Sequence, residues 1–180
     1  MLKRKPLAGL MALVLPLAAF AADSLSHSDS SFLKSAEEDG LYEIQAGKIA
    51  LNKATDPQVK TFAQKLIDDH TKANQDIEQL AAAKGLKLPT SPSLTEQAKL
   101  KTLEHWSQSG FDHHFADGVG VSAHESDVKE FTKQSTEAKD ADVKALAAKQ
   151  LPTLQEHLSM ARQLADATKN EKSANSTTNK

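Results

Sequence analysis

The sequence predicts an all-α protein, an antiparallel four-helix bundle with one short extra helix. Three observations carry that prediction. Apolar residues recur at helical intervals through four long segments. The composition is rich in Ala, Lys, Leu, Glu and Gln, with seven Gly and six Pro in 180 residues, which disfavours a sandwich, a barrel or a doubly wound sheet. The length holds one domain. The absence of cysteine removes disulfides, thiolate metal sites, iron–sulfur clusters and cysteine nucleophiles together.

The first helix is expected from about Ser31 to Asn52, where Phe32, Leu33, Ala36, Leu41, Ile44, Ala50 and Leu51 form the stripe. Thr55-Asp56-Pro57 supplies a cap followed by proline at the first helical position. The second helix then carries Val59, Phe62, Leu66, Ala73, Ile77 and Leu80 and stops at Gly85. Leu86 to Pro92 is a connector, and Ser93-Leu94-Thr95-Glu96 has the reciprocal capping-box spacing that opens a short third helix. That helix is expected to end near Gly110, and a longer one to run from Phe111 to about Lys139. Asp140 caps the last helix, in which Pro152 predicts a kink or a break and restart. Gly40 and Gly47, seven apart, suit close helix approach. Asp112 reads as a carboxylate at its own helix start, meeting free amides there.

Lys3, Arg4 and Lys5 precede an apolar run from Leu7 to Phe20 that ends in Ala19-Phe20-Ala21. This is the pattern of a cleaved signal peptide over residues 1–21, and it is too short to span a bilayer comfortably. Cleavage would leave 19 Lys and Arg against 24 Asp and Glu, a net charge of −5. An acidic chain of that kind is a poor nucleic-acid binder. The expected location is the bacterial periplasm or the exterior, with no membrane span. Residues 22–30 read as a disordered lead, 31–168 as the bundle and 169–180 as a disordered polar tail.

Three histidines occupy positions where the stripes demand apolar residues: His70 after Leu66, His124 between Val121 and Val128, and His157 between Leu154 and Ala161. His124 lies about 15 residues before the turn at Lys139-Asp140 and His157 about 17 after it, so their heights differ by only ~3 Å at 1.5 Å per residue. The first helix has no stripe histidine, but Glu43 lies within its stripe and Asp39 at the margin. Height favours Asp39 and angle favours Glu43, so both stay open. Asp69 and Glu125 point about 100° away from their neighbouring histidines and read as rim groups. Three imidazoles and a carboxylate suit Zn²⁺, Fe²⁺, Mn²⁺ or Cu²⁺. The plainer reading is a satisfied core network. His27, His105, His113 and His114 read as solvated, with His113-His114 beside Asp112 a weaker surface pair for a metal, and Trp106 and Tyr42 as packing or helix-edge anchors.

Phe32-Leu33, Gly40-Leu41-Tyr42-Glu43-Ile44, Gly47-Lys48-Ile49-Ala50, Val59-Lys60-Thr61-Phe62-Ala63, Asp69-His70, Gly85-Leu86-Lys87-Leu88-Pro89, Gly110-Phe111-Asp112, His124 and Leu151-Pro152-Thr153-Leu154-Gln155-Glu156-His157 together resemble a secreted ferritin-like family. That family is catalogued as a domain of unknown function, and its members are often labelled predicted outer-membrane proteins. The resemblance covers about Ser31 to Ala167 and implies a ferritin-like bundle after a signal peptide. It carries over His70, His124, His157 and Glu43. Di-iron members of the wider fold place Glu three residues before a ligating His. Here Ile67, Val121 and Leu154 stand at those positions, so ferroxidase chemistry does not follow.

Two functional readings remain. One is a metal-binding bundle serving metal handling or stress protection, with His70, His124, His157 and Glu43 or Asp39 as ligands. The other is a non-catalytic structural or protein-interaction module of the cell envelope, with an envelope protein as partner. The sequence holds no nucleophile motif or phosphate loop, so any enzymatic chemistry would be carried by the metal.

Overall fold

The computed structural model describes residues 25–177 and is helical throughout apart from turns and connectors. The expected signal peptide lies outside the described residues. The elements are α1 (His27–Lys53), α2 (Pro57–Ala83), α3 (Leu94–His105), α4 (Gln108–His114), a π-helical stretch (Phe115–Ala123), α5 (His124–Glu137) and α6 (Ala141–Thr177). The backbone stays right-handed helical from α4 through the π stretch into α5, so these three form one rod.

Local chemistry explains the boundaries. Asp56 accepts from the Gln58 amide and Pro57 opens α2, as the sequence predicts. Ser93 and Glu96 complete the capping box of α3. Gly85, at φ +67°, supplies the left-handed residue that ends α2. Three expectations need correction. α1 starts at His27 because Ser26 caps it through the Asp29 amide, so residues 27–30 belong to the helix rather than to a disordered lead. The backbone of α6 stays helical to Thr177, past the expected end at residue 168. Pro152 causes no break in α6. Both Pro152 and Ala148, whose carbonyl loses its partner, are exposed, so water can satisfy that oxygen.

α1 packs along α2, and α5 along α6; α6 also meets the π stretch and α2, while α3 lies on α1. Two buried carboxylates fix the ends. Asp29 accepts from the amides of Lys139 and Asp140 and so holds the α5–α6 turn against the start of α1. At the other end Asp112 accepts from Thr55 N, Thr55 Oγ1 and Asp56 N. It therefore serves the α1–α2 turn, not its own helix start as the sequence reading has it. These contacts make α1 and α6 run one way and α2 and the α4–α5 rod the other, with α3 inside the long crossover from α2 to α4. Gly47 permits the α1–α2 approach, because a Cβ there would lie 2.9 Å from Ile67 Cγ1 and 3.0 Å from the Ala63 carbonyl oxygen.

The apolar core is divided in two. One cluster, including Phe62, Leu66, Phe111 and Phe115, fills the end near the α1–α2 turn. The other, including Phe32, Ile77, Phe131 and Val143, fills the opposite end. Each fully buried side chain of this size stabilises by about 1.5–3 kcal/mol. A polar layer lies between the two.

Candidate metal centre

Each long rod sends one side chain into that layer. Glu43 comes from α1, His70 from α2, His124 from the first residue of α5 and His157 from α6, and all four are buried. The three imidazole centroids lie 5.1 to 5.6 Å apart, and one nitrogen from each ring falls within 4.8 Å of the others. Glu43 Oε2 is 2.8 Å from His70 Nε2 and Oε1 is 3.2 Å from His124 Nδ1. Asp39 stands aside, half-buried and accepting from Ser35 Oγ at 3.5 Å. Glu43 is thus the first-helix carboxylate that reaches the histidines.

The outer nitrogens have fixed partners. His157 Nε2 lies 3.0 Å from Asp69 Oδ2, and Asp69 is also paired with Lys65 at 3.1 Å. Burial pushes the Asp69 carboxyl up, but the hydrogen bonds from His157 and Lys65 outweigh it and hold the group below its usual range. It is therefore an ionised acceptor, and His157 Nε2 carries the hydrogen. His124 Nδ1 lies 3.2 Å from the Val119 carbonyl oxygen, which can only accept, so the tautomer that satisfies this carbonyl has the hydrogen on Nδ1. A neutral imidazole has a single N–H. His157 Nδ1 and His124 Nε2 then carry lone pairs, and these two atoms face one another at 3.2 Å.

Facing lone pairs repel unless a cation lies between them, and the cation is either a proton or a metal ion. Burial disfavours the proton. It lowers His157 to about 4, helped by the charge of His70 against the pull of Asp69. Burial also lowers His124, against the opposing pull of Glu43. Glu43 is itself pushed up by burial but held below the carboxylate range by His124, His70 and His157. Moreover, His70 Nε2 and both Glu43 oxygens have no hydrogen-bond partner among the described residues. The 2.8 Å approach of Glu43 to His70 is an ion-pair distance without hydrogen-bond direction. Two imidazoles anchored through their outer nitrogens, a third with Nε2 unmatched, and inner nitrogens that converge could hold a metal ion.

Other expected positions resolve differently. Glu125 pairs with Arg162 at the surface at 2.8 Å and takes no part in the layer. His113 Nδ1 lies 3.4 Å from Thr168 Oγ1, and His114 stacks against Trp106 at 3.4 Å between centroids. With Asp112 committed to Thr55 and Asp56, these residues do not form a joint site. Asp127 is not among the positions that the sequence singles out. It is buried, close to Glu43 and His124, and its place three residues after His124, at the edge of the apolar stripe, is the available signal.

A family model described as "Domain of unknown function (DUF4142)" matches residues 15–164. The chain belongs to the DUF4142 family. The matched span contains Glu43, His70, His124 and His157. This DUF4142 chain is also similar to the crystal structure of a DUF305 fragment from Deinococcus radiodurans, with a TM-score of 0.70 over 80% of this chain and 99% of that one, at 11% identity. At that identity the likeness is one of fold alone. A comparison with curated proteins finds no match.

Proposed function

We infer that this DUF4142 protein is a ferritin-like four-helix bundle that binds one transition metal ion through His70, His124 and His157, with Glu43 completing the set. The long crossover carrying α3 supports the ferritin-like arrangement, since that topology has one such connection. The observation that carries the metal reading is the facing pair of lone-pair nitrogens, His124 Nε2 and His157 Nδ1, whose outer nitrogens are committed to Val119 and Asp69. Neutral imidazoles with a carboxylate select Zn²⁺, Fe²⁺, Mn²⁺ or Cu²⁺. A cavity of about 150 Å³ lined by His70, His157, Glu43 and Asp69 gives an ion a path to the layer. The basic, apolar and small-residue pattern of residues 1–21 supports a periplasmic or secreted setting, where the protein would act in metal handling or stress protection.

The competing reading is a structural or partner-binding module of the envelope. It is favoured by the continuous Asp69–His157–His124 chain, which a single trapped proton could satisfy. Metal analysis of the purified protein, paired with thermal melts with and without chelator, separates the two. The metal reading expects about one equivalent of ion, a melting temperature lowered by chelator, and affinity reduced at least 100-fold in His124→Ala and His157→Ala, both still helical by circular dichroism. Metal-free protein with a chelator-insensitive melt, also after addition of each of the four ions, would leave the proton-bridged network standing.

A further inference from the structure

Beside the histidine layer lies a second polar cavity of about 650 Å³ whose lining includes Asp39, Glu43, Glu96, Asp127, Lys99 and Lys129; Asp39, Glu43 and Asp127 also line the cavity that reaches His70 and His157. Asp127 is 7% exposed and Glu43 1%. Asp127 Oδ2 and both Glu43 oxygens lack any hydrogen-bond partner among the described residues. Asp127, Glu43 and His124 each offer a ligand atom within 4.8 Å of the others. The lysines make no direct ion pair with this cluster among the described salt bridges. Both are exposed, and Lys99 Nζ lies over the Tyr42 ring, 5.8 Å from its centroid.

We propose that Asp127 and Glu43, with Asp39 across the cavity, form a second cation site that takes a hard divalent ion of the Mg²⁺, Ca²⁺ and Mn²⁺ class. The donor set decides the class. His124 Nδ1 is committed to the Val119 carbonyl, so the atoms left facing this cavity are carboxylate oxygens, which suit hard cations rather than the borderline ions that imidazole prefers. The charge arrangement points the same way. Buried carboxylate oxygens without partners repel one another at this separation, and a bound divalent charge relieves that repulsion. Glu43 places Oε2 toward His70 and Oε1 toward His124, so one carboxylate can serve both sites as a bridge. The inference goes beyond the histidine site and shares Glu43 with it, so the test separates them.

The full chain is loaded with one equivalent of Zn²⁺, which outcompetes Mn²⁺ for imidazole. Mn²⁺ is then titrated in, with the free aqueous ion counted by its electron paramagnetic resonance signal. The expected result is one further equivalent of Mn²⁺ bound by the Zn-loaded protein. Asp127→Asn, nearly isosteric, weakens it at least tenfold with Zn²⁺ retained, and Asp39→Asn weakens it several-fold. His157→Ala loses Zn²⁺ while one Mn²⁺ still binds in the oxygen site. No Mn²⁺ binding by the Zn-loaded protein, or binding unchanged in Asp127→Asn, overturns the second site and leaves the histidine site standing. Undiminished Zn²⁺ binding by His157→Ala overturns the histidine reading instead.

Discussion

At His157 the nitrogen that would face a bound ion is chosen by a residue outside the histidine set. Asp69 accepts from Nε2 at 3.0 Å, and this contact turns Nδ1 inward, toward His124. Lys65 bridges Asp69 and Glu156 at 3.1 and 3.3 Å, so the carboxylate is itself held in place from the surface. Losing the charge of such a partner typically costs 10- to 100-fold in metal affinity. Asp69→Asn is therefore expected to weaken metal binding by about that factor with little change in helical content, as competition against a chromophoric chelator would measure. Lys65→Ala, acting one step further out, should cost less than Asp69→Asn. Equal affinity for wild type and Asp69→Asn would remove Asp69 from the account.

The π-helical stretch is the element that presents His124. It inserts extra residues into the turn and so rotates the following side chains relative to α4, and the Val119 carbonyl within it meets His124 Nδ1 five residues on. Two glycines lie in this stretch, and they are not equivalent. A Cβ at Gly120 would fall 2.7 Å from Ala161 Cβ and 3.3 Å from Phe62 Cε1, whereas one at Gly118 would meet nothing within 4 Å. Gly120→Ala must push α6 outward, and overpacking of that kind costs about 1–3 kcal/mol. Gly118→Ala should be neutral or stabilising by up to about 1 kcal/mol, since Ala restricts the unfolded chain. Urea unfolding of both variants checks the contrast, which fails if they shift stability alike.

The same stretch shows where sequence stops being informative. The helical stripes predict the long helices, and counting residues through regular α5 and α6 to their shared turn correctly places His124 and His157 at one height. The π geometry leaves no periodic trace in Phe115 to Ala123, where the glycines signal only close approach. Asp29 and Asp112 bond to turns 110 and 57 residues away. Such contacts have no local spacing, so Asp29 reads as part of a disordered lead and Asp112 as a helix-start charge. Asp127 leaves a fainter trace, its place at the edge of the α5 stripe, because the carboxylate that it meets, Glu43, lies on another helix.

For the whole molecule, these buried groups dictate how stability follows pH, through the difference in protons bound by the unfolded and folded states. Asp39 is raised to about 8 by burial, Glu96, Glu43 and Glu38. Glu37 is raised to about 7 by burial and Glu78, against a hydrogen bond from Asn74, and Asp127 also lies above its usual range. Their folded values exceed their unfolded ones, so the stability they contribute is complete at acid pH and is lost as pH rises through about 7 to 8. His124 and His157 act in the opposite sense. Their folded values are depressed, to about 4 for His157, so their contribution is present above 6.5 and is lost as pH falls toward 4. The two sets oppose each other between about pH 4 and 6.5, and above that window only the carboxyls act. Three carboxyls outweigh two histidines in that window, so chelated protein should show a melting temperature that falls gently across it and more steeply, by roughly 5 °C or more, from pH 6.5 to 8, taking ~2–4 °C per kcal/mol at this size. An ion on Asp127 and Glu43 would replace the proton's role, so excess Mn²⁺ should flatten the alkaline limb in wild type and not in Asp127→Asn. Differential scanning calorimetry across pH measures both curves, and a melting temperature that rises from pH 6.5 to 8 without metal would show that these carboxyls are ionised in the folded state.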